Sequence, residues 1–197
     1  MTAVKTADTD FPLLNVRRVA GNIGAEIRDI RLSADLDAEA FAQVEAALVK
    51  YKVLFFRQQG HLTDAEHQAF GARFGKIVPH PTVASPEGTK LFELDASKGG
   101  GRADSWHTDV TFVDAFPKIS ILRGVTIPEY GGDTVWANTA RAYEQLPETL
   151  KRFVDTLRAV HSNDYDYGAE RTVVETHRLA HHQKVFVSAL WEAEHPV

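Results

Sequence analysis

The sequence predicts an α+β fold with a mainly antiparallel sheet and helices gathered early in the chain. Three observations carry that expectation. Apolar residues recur at helical spacing within residues 37–51 and 63–75, whereas short apolar or alternating runs dominate from residue 90 onward. No linker, repeat or low-complexity tract divides the 197 residues, so a single domain over 1–197 is expected.

Each element has a local cause, taken here in chain order. "LLNVRRVAGNIGAEIRDI", residues 13–30, alternates well enough for one or two short strands, with Gly21 and Gly24 marking turns. In "DAEAFAQVEAALVKY", residues 37–51, Phe41, Val44, Leu48 and Tyr51 share a helical face, and Asp35 or Asp37 can cap it. "KVLFFR", residues 52–57, has the length and aromatics of a buried strand. "TDAEHQAFGARFG", residues 63–75, opens with Thr63 and Glu66 at capping-box spacing and stops at Gly75. Strands are then expected in "KLFELD" (90–95), "SWHTDVTF" (105–112), "KISILRGVTI" (118–127) and "DTVWANT" (133–139). The glycine-rich "ASKGGGRAD", residues 96–104, predicts a mobile loop before the second of these. Residues 140–157 read as helix broken near Pro147, "RAVHSNDYDYG" (158–168) as another strand, and "RLAHHQKVFVSAL" (178–190) as either.

Bulk composition narrows the function. A net charge of -5 gives no electrostatic footprint for nucleic acid or an anionic membrane. The absence of cysteine excludes a disulfide scaffold, an iron–sulfur cluster and a thiolate zinc site within this sequence, and suits a reducing cytosol. The N-terminal stretch lacks the apolar segment of a signal peptide, and no run reaches membrane-span length. A soluble, cytoplasmic protein is expected.

In "SWHTDVTF" a strand would direct His107 and Asp109 to one face and Trp106, Thr108 and Val110 to the other. Two donors on one extended segment can grip one metal ion with little ordering cost. Two histidines and a carboxylate on one face, with open positions, form the pattern of oxygen-activating non-haem iron. Spacing alone decides nothing. With 27 acidic residues in 197, a histidine has roughly a one-in-seven chance of an acid two places on, so nine histidines supply about one such pair by accident. A hydrogen-bonded His–Asp pair remains an alternative at this point.

The wider set of motifs is more specific. "WHTDVTF" followed by "GGDTVWANT" (131–139), together with "GNIGAEIRDIRLSADLD", "KVLFFRQQ", "VPHPTV", "VHSNDYDY" and "EHPV", resembles the taurine dioxygenase family of iron(II)- and 2-oxoglutarate-dependent oxygenases. The likeness runs along nearly the whole chain. "SWHTDVTFVDAFPKISILRGV" and "AVHSNDYDY" are most similar to its bacterial alkylsulfatase branch. The resemblance implies a double-stranded β-helix (jelly-roll) core with flanking helices. It implies His107 and Asp109 as iron ligands, Thr134 as a hydroxyl contact to 2-oxoglutarate, His80 as the sulfate or sulfonate contact, and Val110 as pocket lining. Without it, Thr134 reads as a strand threonine after a turn and His80 as a surface loop residue.

The implied reaction consumes O2 and 2-oxoglutarate and cleaves an alkyl sulfate ester to aldehyde and sulfate, forming succinate and carbon dioxide. Taurine or another sulfonate is the alternative substrate. Ala103, where the taurine enzyme carries an amide, favours alkyl sulfates. A homo-oligomer, dimer or tetramer, is the implied assembly. The family's distal histidine ligand and 2-oxoglutarate-binding arginine have no matching position. His161, His177, His181, His182 and His195 do not sit where that ligand belongs. The chain is therefore expected to be a portion of a longer enzyme, or a truncated gene product inactive alone, lacking the C-terminal side. A non-catalytic member of the fold and a zinc hydrolase, which needs three protein ligands, are the competing readings.

Overall fold

Capping chemistry and apolar spacing account for most of the elements in the computed structural model, which describes residues 9–81, 85–95, 105–163 and 190–197. The chain falls into two compact units, Met1–Arg73 with Arg123–Pro147, and Phe74–Leu122 with Glu148–Val197.

In the first unit, β1 (Asn15–Arg18) pairs antiparallel with β2 (Ala25–Arg28), and β2 pairs in parallel with β3 (Leu54–Phe56). A parallel neighbour requires a crossover, supplied here by α1 (Ala38–Tyr51). The Asp37 carboxylate accepts from the backbone N–H groups of Glu39 and Ala40, choosing between the two candidate caps. Phe41, Val44, Ala47 and Tyr51 are the buried face; Ala47 takes the place expected for Leu48, which is only half-buried. Gly24 has φ +84°, a backbone conformation that favours glycine, although a Cβ there would meet the Phe55 ring only at van der Waals distance, 3.4 Å. α2 (Asp64–Gly71) starts with the full Thr63–Glu66 capping box, runs into a 3-10 turn at Ala72–Phe74, and ends at Gly75 with φ +141°. Ile27 and Val44 are the largest fully buried side chains. The Arg123 guanidinium donates to the Leu62 carbonyl and the Asp64 carboxylate, while Trp136 meets Phe55 edge-on at 5.5 Å. α3 (Thr139–Glu144) is capped by Asn138.

The second unit contains α4 (Glu148–Val154) and an antiparallel ribbon of β4 (Arg158–Ser162) and β5 (Glu192–Pro196). The break expected near Pro147 separates α3 from α4. The strand expected from residue 158 is β4, whereas nothing in the sequence pattern pointed to β5. Among the described residues of this unit only Phe112, Asn163 and Ala193 are buried.

One expectation is corrected. Residues 90–95, 105–112, 118–127 and 133–139 contain no strand; they run as irregular chain and turns, except that Thr139 opens α3. An extended segment becomes a strand only where a neighbour satisfies its N–H and C=O groups. Among the described residues these segments have no such ladder. The stretches 96–104 and 164–189, with the expected glycine loop, Ala103, His177, His181 and His182, lie outside the described residues. Among the described residues no helix is long and apolar enough to cross a membrane.

Candidate metal site

Because residues 105–112 are not a strand, His107 and Asp109 do not meet through alternation. Val110 has φ +56°, a left-handed conformation that a β-branched side chain rarely adopts, and this sharp turn comes directly after Asp109. The result still brings the two side chains together: His107 Nε2 stands 3.4 Å from Asp109 Oδ1, with both groups about half exposed.

Each side chain has a second anchor. His107 Nδ1 lies 2.9 Å from the Ser105 carbonyl, which can only accept, so the contact assigns a proton to Nδ1. In the neutral ring Nε2 then carries the lone pair that faces the carboxylate. Histidine ligands to metals are commonly oriented in this way. Asp109 Oδ2 accepts a hydrogen bond from Ser120 Oγ at 3.2 Å, leaving Oδ1 directed at the imidazole. Two donors to one ion stand about 3 Å apart, so the Nε2–Oδ1 pair has the chemistry and spacing of two neighbouring ligands. A third donor is not beside them: among the described residues no group of three or more His, Asp or Glu could hold a metal.

His80 belongs to the same unit and is half-buried, its ring 5.0 Å from that of Phe92. Burial holds its imidazole below the ordinary 6.5, while the Asp109 carboxylate acts in the opposite direction. Thr134 falls in the first unit, exposed, two residues after Gly132 with φ +70°.

Sequence reasoning passed over a neighbouring cluster. Thr111 Oγ1 lies 2.7 Å from His161 Nδ1 and 3.2 Å from Thr108 Oγ1, and the Thr111 carbonyl accepts from His195 Nε2 at 2.7 Å. His161 pairs with Ala193 and His195 with Ala159 across the ribbon, so both histidines occupy one face, with rings 4.9 Å apart. No local spacing links positions 111, 161 and 195; only the ribbon's register reveals the group.

Comparison with known proteins identifies the family to which this chain belongs. A taurine dioxygenase from Burkholderia xenovorans superposes with a TM-score of 0.67 at 38% identity, covering 94% of this chain and 58% of that one. The chain thus has the taurine dioxygenase fold in a partial, incomplete form. It belongs to the taurine catabolism dioxygenase TauD, TfdA family, whose sequence profile matches residues 15–195. It is 57% identical over 185 residues to an alkylsulfatase of Acinetobacter baylyi, a match covering 93% of this chain and 58% of that protein. It is 54% identical to an alpha-ketoglutarate-dependent sulfate ester dioxygenase of Pseudomonas putida, again over 93% of the chain and 61% of the relative. The chain therefore spans about three-fifths of the length of these relatives.

Proposed function

We propose that this chain carries part of the active site of an iron(II)- and 2-oxoglutarate-dependent dioxygenase that cleaves alkyl sulfate esters oxidatively. The observation that carries the reading is the convergence of His107 Nε2 and Asp109 Oδ1, each anchored from behind, in a chain 57% and 54% identical to two sulfate-ester enzymes. Residues 1–197 are read as one oxygenase domain, with the third ligand and the 2-oxoglutarate-binding arginine drawn from family length this chain does not span. The 58% and 61% shares support that part.

In this reading His107 and Asp109 hold the iron. Bound iron with 2-oxoglutarate supplies the activation of O2 and the oxidation of the carbon bearing the sulfate. The protein's own residues bind and orient. The Ser105 carbonyl keeps a proton on His107 Nδ1, so Nε2 stays available as a donor. Ser120 restrains the carboxylate so that one oxygen faces the imidazole. Thr134 offers its hydroxyl to a 2-oxoglutarate carboxylate. His80, favoured as the neutral ring by burial, offers an N–H to the sulfate, and Val110 lines the substrate side. A cytoplasmic homo-oligomer completes the proposal.

The test begins with binding. Anaerobic iron(II) and then 2-oxoglutarate are expected to produce a visible charge-transfer absorption in the wild type and none in His107→Ala. Equal spectra from the two would remove His107 as a ligand. A panel of alkyl sulfates and taurine then separates substrates. Inorganic sulfate with stoichiometric succinate is expected from the esters, whereas sulfite from taurine would reverse the assignment.

A further inference from the structure

We propose that His161 and His195 are positioning residues for the metal segment: the β4–β5 ribbon grips Thr111 through both imidazoles and thereby sets the position of Asp109, two residues earlier. The inference rests on the proposed metal site.

The need for such a grip is local. Val110 is held at φ +56°, between Asp109 and Thr111, and a β-branched residue stays there only where its surroundings over-determine it. Residues 105–112 have no strand ladder to hold them. The chain just after Val110 is fixed at several points. The Thr111 carbonyl accepts from His195 Nε2, its hydroxyl is hydrogen-bonded to His161 Nδ1 and contacts Thr108 Oγ1, and Phe112 is buried. The imidazoles are themselves held in place. Their rings meet at 81°, and His195 packs edge-on against Phe116 with centroids 5.0 Å apart.

Both contacts attach to the backbone or hydroxyl of one residue, so losing either frees the turn without removing a ligand. The contacts also define conservative replacements. Glutamine can present its amide N–H where His195 has Nε2–H. Asparagine can present either an oxygen or an N–H where His161 has Nδ1, whichever way that proton points.

The experiment uses the full chain, with cobalt(II) as the probe and hydrogen exchange of residues 105–113 as a readout independent of metal. His195→Phe and His161→Leu should speed exchange in that segment by about tenfold and raise the cobalt(II) dissociation constant by about tenfold. Exchange in Asp37–Tyr51 should stay unchanged. His195→Gln and His161→Asn should restore both quantities to near wild type. The proposal is overturned if segment exchange is unaffected by the Phe and Leu variants. It is equally overturned if exchange changes but cobalt affinity does not, or if the Gln and Asn variants lose as much as Phe and Leu. A wild-type chain that binds no cobalt(II) would sink the metal site instead, and segment exchange alone would then decide whether the grip exists.

Discussion

Val110 sits where glycine or asparagine would be more comfortable, and that cost can be measured. A valine at φ +56° carries about 1–2 kcal/mol of backbone strain. Val110→Gly relieves it but adds about 0.5–1 kcal/mol of unfolded-state entropy and loses some half-buried side-chain contact. The two effects nearly cancel, so urea unfolding should show a change under about 1 kcal/mol. A loss above about 3 kcal/mol would mean the valine packs far more than its exposure indicates. His80 offers a second test at this scale. Its folded value lies below the ordinary 6.5, so the folded state binds fewer protons than the unfolded state. Its contribution is therefore fully present above pH 6.5 and is lost as pH falls through the lower folded value. Compared with His80→Gln, the wild type should lose more stability on acidification below 6.5, and thermal melts against pH read this directly. Parallel curves would contradict the burial of the ring. Position along the chain suggested both residues, but only their surroundings gave them a conformation or a charge state.

At the scale of elements, legibility tracks locality. α1, α2 and the break at Pro147 were readable because caps, apolar spacing and proline act within a few residues of themselves. The short strands 15–18, 25–28 and 54–56 were readable because they are apolar or alternating and bounded by turn residues. Truncating Val44, which is 1% exposed on the inner face of α1, should cost about 2 kcal/mol as Val44→Ala. Thr63→Ala breaks the capping box of α2 and should cost about 1 kcal/mol. Urea midpoints that rank the two in the reverse order would count against this picture of the core. The strands expected in residues 90–139 fail for the opposite reason. Their amino acids suit a pleated surface, but a strand is a property of two segments. β5, with "EAEHP", shows the converse: a segment of weak strand propensity that pairs residue for residue with β4.

Across the whole molecule, apolar burial is uneven. Phe11, Leu14, Ile27, Phe41, Val44 and Phe70 are buried, whereas Leu122, Val125, Ile127, Tyr130 and Val135 are each at least 66% exposed, four of these five within the same first unit. Local stability should match that difference. Native-state hydrogen exchange is expected to be slowest in β2 and α1 and much faster through residues 113–137, and uniform protection would refute the distribution. The same contrast divides what could be known in advance. Family, helices, the short strands of the first sheet and the choice of His107 and Asp109 as candidates came from the sequence alone, because caps, periodicity and motif order are encoded in near neighbours. The turn that brings those two together, the Ser105 and Ser120 anchors, and the grip of His161 and His195 on Thr111 were decided only by tertiary structure. Those contacts join residues up to 84 positions apart, and their geometry depends on strand register and backbone conformation, which no local pattern encodes.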